Sequence, residues 1–160
     1  LDGGKPAEAE PLFREAAAML LRPENEGAAW GAKRTDTLIS HALLASSLEK
    51  LGRIEEAEAP LLACMAAAEG KVPAGDRYEW ILLLCRSALG EVRLKKGDAA
   101  GAAAMINPAA ARMVEVAPQM GPKSRAMYVP VVLDRAARAA EAAGDAGKAA
   151  EWRAATAQFK

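Results

Sequence analysis

The sequence has little of the residue types that usually carry chemistry. One histidine and two cysteines stand among 160 residues, and only seven residues are aromatic. His41 has no second histidine for a metal pair and no nucleophile motif beside it. It therefore reads as a helix-packing residue, and the chain as no enzyme, without metal or cofactor. Cys64 and Cys85 lie 21 residues apart with no CxxC neighbour, so neither a zinc site nor a disulfide framework is suggested. They read as small buried apolar side chains in a reducing compartment. Net charge is lacking too, with 21 Lys and Arg against 21 Asp and Glu. Without a basic excess, neither nucleic acid nor an anionic membrane surface is an expected partner. No stretch approaches the ~20 apolar residues of a membrane span, and no signal segment opens the chain, so the expected location is cytoplasmic. Glycine-rich phosphate cradles are missing as well. Gly3-Gly4 and Gly97-Asp98-Ala99-Ala100-Gly101 lack the Lys-Ser/Thr of a P-loop and the strand of a dinucleotide fold.

What is abundant is alanine. Forty alanines make up almost half of a hydrophobic class that covers 52% of the chain. Alanine is the best helix former and the smallest side chain that still packs, so an all-α fold of closely approaching helices is expected. A repeat supports it. Gly4, Gly52, Gly97 and Gly144 recur at spacings of 48, 45 and 47 residues, and each is followed five residues on by alanine: Ala9, Ala57, Ala102 and Ala149. Large apolar residues stand nine after three of them, at Phe13, Leu61 and Ile106, and small ones twelve after all four, at Ala16, Cys64, Ala109 and Thr156.

Each glycine suits a left-handed helix end, where the chain reverses into the next helix. Helices are expected before the turns over Leu38–Leu51, Trp80–Lys96 and Leu133–Ala143, and after them through about Leu21, Glu69, Val116 and Phe159. Asp98 and Asp145 are placed as N-caps. Loops are expected at 22–35, 70–76 and 117–123, each with Pro or Gly. The result is about seven helices in one domain over 1–160: the second helix of a truncated repeat over 1–21, then repeats over 28–69, 76–116 and 122–159. Leu1-Asp2-Gly3-Gly4 reads as the end of a preceding helix and its turn, so the chain is expected to be a fragment of a longer one.

Three prolines strain this pattern, because a ring without an N–H removes a helical hydrogen bond. Pro60 lies near a helix start. Asn107-Pro108 reads as a possible break with a fresh turn. Tyr128-Val129-Pro130-Val131-Val132 is β-branched, but a lone strand would have no partner, so a kinked helix is expected. The uninterrupted run Trp80-Ile81-Leu82-Leu83-Leu84-Cys85 covers every side of a helix and marks the middle of the core.

The run from Leu44 to Leu62, with Leu44-Ala45 before Gly52 and Glu56-Ala57-Glu58-Ala59-Pro60-Leu61 after it, resembles a tetratricopeptide repeat of the longer, kinesin-light-chain-like bacterial kind. Leu89-Gly90 and Ala136-Ala137 occupy the corresponding places in the later, more degenerate repeats, where Arg86 and Arg93 replace large apolar groups. The closing stretch Glu141 to Ala154 is also similar to helical regions that follow the kinase domain of some bacterial serine/threonine kinases. The resemblance implies a right-handed superhelical α-solenoid of antiparallel hairpins. It implies a non-catalytic scaffold holding a peptide or partner helix in a concave groove, as a regulatory segment of a bacterial protein.

In that register the groove takes Ala42, Ser46 and Glu49 from one first helix, Ser87, Glu91 and Lys95 from the next with Leu94 nearby, and Asp134, Arg138 and Glu141 from the last. Both signs are mixed, without the dense basic clamp that holds a terminal carboxylate. Trp30 and Tyr78 are candidate aromatic anchors, with Tyr128 a further candidate and Trp80 nearer the core. The rival expectation is self-association. Leu12, Phe13, Ala16, Met19 and Leu20 form an apolar stripe on the first helix that a second copy would cover.

Overall fold

The structure, a computed structural model, describes residues 5–20, 30–68, 74–76 and 78–159, the side chains of 20, 30–37 and 67 aside. Among the described residues there are seven α-helices and no strand. They are α1 (Pro6–Leu20), α2 (Trp30–Lys50), α3 (Glu58–Ala68), α4 (Glu79–Lys95), α5 (Ala99–Val116), α6 (Pro122–Ala142) and α7 (Ala146–Ala157). Short 3-10 turns over Ile54–Ala57 and Ala117–Gln119 lead into α3 and follow α5.

Three helices end in the same way. Gly52, Gly97 and Gly144 have φ of 72°, 85° and 83°, the left-handed region that an added Cβ disfavours. Around each, the glycine N–H donates three residues back, to the carbonyls of Glu49, Leu94 and Glu141. The next N–H donates five back, to Leu48, Arg93 and Ala140. This double closure satisfies the orphan carbonyls of α2, α4 and α6 and reverses the chain within a few residues. Where helices follow at once, Asp98 accepts from the Gly101 N–H and Asp145 from the Lys148 N–H, both at 2.8 Å. Asp98→Ala or Asp145→Ala should therefore each cost about 1 kcal/mol. In a chain of this size that is a thermal midpoint lower by roughly 2–4 °C; an unchanged midpoint would show that the cap contributes nothing.

The repeat register appears directly in burial. Ala57, Ala102 and Ala149, five after the glycines, are all buried, as are Cys64, Ala109 and Thr156, twelve after them. Ala45, Gly90 and Ala137, seven before, are buried where successive helices approach. At Gly90 the approach is close: an added Cβ would overlap Ile106 Cγ1 and stand 2.8 Å from its Cδ1. The cysteines are free and buried, with the Cys85 thiol donating to the Leu38 carbonyl at 3.6 Å. His41 is buried within α2. The run from Ile81 to Cys85 is buried throughout, as a helix contacted on several faces must be.

Several boundaries differ from expectation. Helix α2 begins at Trp30, so the loop expected over 22–35 is helical in its second half. Helix α5 runs unbroken through Asn107-Pro108. Pro108 is exposed, which leaves the freed carbonyl open to water, and Asn107 is held by the Trp152 indole N–H, which donates to its Oδ1 at 2.9 Å. Helix α6 likewise continues through Pro130 from Pro122, well before Leu133.

Each helix packs on the next one in sequence, from α1 on α2 to α6 on α7. In addition α2 packs on α4 and α4 on α6. The helices α1, α3, α5 and α7 touch one another at most marginally. The even-numbered helices therefore form one continuous layer with α4 in its centre. No helix among the described residues is long and apolar enough to cross a membrane.

Candidate functional site

The layer of α2, α4 and α6 carries most of the residues singled out for binding. Ser46, Glu91 and Arg138 each lie six residues before their helix-ending glycine, so equivalent helical positions project toward the same face. The geometry there is an ion-pair cluster. Arg138 donates through Nη1 to Glu91 Oε1 at 2.5 Å, through Nη2 to Glu49 Oε1 at 3.2 Å and through Nε to Asp134 Oδ2 at 3.1 Å. Arg135, which sequence reasoning missed, is fully buried. Its Nη2 donates to Glu49 Oε2 at 2.5 Å and its Nη1 to Ser87 Oγ at 2.9 Å. Ser87 in turn donates to the Leu84 carbonyl at 2.8 Å.

A signal for Arg135 exists in the sequence. It falls on the stripe Tyr128, Val132, Arg135, Ala139, all buried, and a charge on an apolar stripe requires a partner. The opposite charges are Glu49 and Glu91, and only stacking brings them near. Burial acts to raise the Glu49 carboxyl, but Arg135 and then Arg138, by charge and hydrogen bond, outweigh it and hold it below its ordinary value of 4.5. Burial likewise acts to lower the Arg138 guanidinium, and Glu91, Glu49 and Asp134 raise it.

A carboxylate with a depressed folded pKa contributes stability above its unfolded value, and that stability is lost as pH falls through the folded one. Thermal midpoints measured from about pH 5 to pH 3 should thus fall more steeply in the natural chain than in Glu49→Gln. Parallel curves would mean that Glu49 adds nothing.

Beside the cluster lies a cleft of about 160 Å³ between α2 and α6, which Phe13 of α1 also lines. Its walls are Leu43, Ser46, Ser47 and Lys50 on one side, and Met127, Tyr128 and Val131 on the other, with Phe13 from α1. Tyr128 is braced by Trp80, stacked at a centroid distance of 5.1 Å. A cavity near 150 Å³ with an apolar lining holds a benzene-sized group, whereas cofactor and drug sites need about 300 Å³ or more.

The expected groove residues thus divide. Glu49, Ser87, Glu91, Asp134 and Arg138 meet in one cluster, and Ser46 lines the cleft. Ser87, Glu91 and Ala42 are buried. Lys95 is exposed on α4 and takes no part in the cluster. Glu141 is turned to α7 and paired with Arg153. Tyr78 is partly buried against the core at the start of α4, not set out as an anchor. The side chains of Trp30 and Leu20 lie outside the described residues. Of the first-helix stripe, Leu12 and Met19 are exposed while Phe13 faces the cleft.

No family model, curated protein or solved structure matches the chain.

Proposed function

We propose that the chain is a non-catalytic, tetratricopeptide-like scaffold whose even-numbered helices line the concave side of a superhelix and hold a peptide there. The observation that carries this is the open apolar cleft between α2 and α6, set beside charges that already neutralise one another. The packing of α2 and α6 on α4, with α1, α3, α5 and α7 at most marginally in touch with one another, supports this reading. The volume suits one leucine-, methionine- or phenylalanine-sized side chain, the anchor type that dominates peptide recognition in grooves. The face works by shape, in the cytoplasm, as part of a larger regulatory protein.

The test is selection of displayed random peptides on the natural chain, followed by affinity measurement on Ser46→Trp, which fills the cleft from its own wall. Selected peptides should share one apolar residue and bind the filled variant at least tenfold more weakly. Equal binding to both proteins would place the site elsewhere.

Self-association is the second reading, favoured by Leu12 and Met19, which are 66% and 48% exposed on α1. It requires a mass that rises with concentration in sedimentation and returns to the monomer in Leu12→Lys. A monomer at all concentrations removes it.

A further inference from the structure

We infer that Arg135 is a positioning residue: with Glu49 it ties the two walls of the cleft together and sets the width at which the cleft accepts an apolar group. This rests on the cleft being the binding site. Helices α2 and α6 supply opposite walls, and both are packed on α4, so their separation depends on how each leans against that central helix. Glu49 stands three residues beyond Ser46 on one wall, and Arg135 four beyond Val131 on the other. Glu49 is next to Lys50, which lines the cleft, and Arg135 is about one helical turn beyond Val131, so the pair crosses the gap at the end of the cleft.

The tie is stiff for three reasons. Arg135 is fully buried and its guanidinium is anchored to α4 by Ser87 as well as to α2 by Glu49. Arg138 reaches the other oxygen of the same carboxylate, so Glu49 is gripped at both atoms from α6. Arg138 is itself fixed to α4 through Glu91 and to its own helix through Asp134. A planar fork held at several points loses little further freedom, so it transmits position better than a flexible ammonium would. The two cluster atoms without a protein partner, Arg135 Nε and Glu91 Oε2, are buried out of a ligand's reach, so the effect on binding runs through the walls.

Toluene, followed by chemical-shift changes at the Val131 and Met127 methyls, is the probe. Its dissociation constant should rise at least threefold in Arg135→Met and in Glu49→Gln, the second being isosteric and partly exposed so that folding is retained. Arg135→Lys should fall between these and the natural chain. Ile106→Ala, which weakens the fold at the contact of α5 with α4, should leave the constant within twofold. Folded variants that bind toluene like the natural chain would overturn the positioning role while leaving the cleft in place. A loss in Ile106→Ala equal to that in Arg135→Met would reduce the effect to general loosening and overturn it too. Failure of the natural chain to bind toluene at the cleft would remove the site and the role together.

Discussion

Arg135→Met should lower the unfolding free energy by about 3 kcal/mol, the lower end of what removing one member of a buried ion pair costs. The lower end applies because Arg138 still reaches Glu49 at 3.2 Å after the change. Ser87 loses its donor, and Glu49 keeps only one of two guanidinium contacts in a partly buried place. The atoms Arg135 Nε and Glu91 Oε2 are buried without a protein partner, so the cluster is incompletely compensated and sensitive to further loss. In a chain of this length the thermal midpoint should fall by roughly 6–12 °C. Changing both partners to apolar residues, as in Glu49→Leu with Arg135→Met, should recover most of the loss, since a well-packed apolar pair often equals a buried salt bridge. Denaturant midpoints check both. A double variant no more stable than the single one would show that the cluster does more than balance its own charges.

The second large effect is expected at Gly90. Helices α4 and α5 approach so closely there that a Cβ would overlap the Ile106 side chain, which is itself fully buried. Gly90→Val should cost about 3 kcal/mol, at the upper end of overpacking penalties. Gly90→Ala should cost less, because the gain of about 1 kcal/mol in helix propensity offsets part of the strain. Ile106→Ala alone should cost about 2–5 kcal/mol through the cavity it leaves. Combined with Gly90→Val, the two should cost clearly less than their sum, because the new side chain enters the space vacated by the old. Strict additivity in that cycle would mean that the helices do not meet at these residues.

Much of the fold is legible in the sequence because its causes are local. A glycine that ends a helix, an aspartate that caps the next and alanine on the approaching faces act within a few residues of themselves. The turns at Gly52, Gly97 and Gly144 accordingly fall where the repeat places them. Helix starts were harder to read. The signals over 30–35 and 122–132 are polar or β-branched and give only weak helix propensity. Pro108 looked like a break because the rule against proline assumes a costly lost hydrogen bond, and at an exposed position that cost is small.

The candidate site divides along the same line. Its helical positions followed from the repeat, which is why Glu49, Glu91, Asp134 and Arg138 were found together. Which of them would be buried did not follow, since burial is decided by helices remote in sequence. Nor did Arg135, whose decisive contact with Glu49 spans 86 residues of chain. By itself the sequence determined an all-helical chain with regularly spaced reversals, because backbone conformation at glycines and helix ends is settled by neighbouring atoms. Only the tertiary structure decided which of 21 cations meets which of 21 anions, and that α2 and α6 leave an apolar cleft between them. Those outcomes depend on distances between helices remote in sequence, and no local preference encodes such distances.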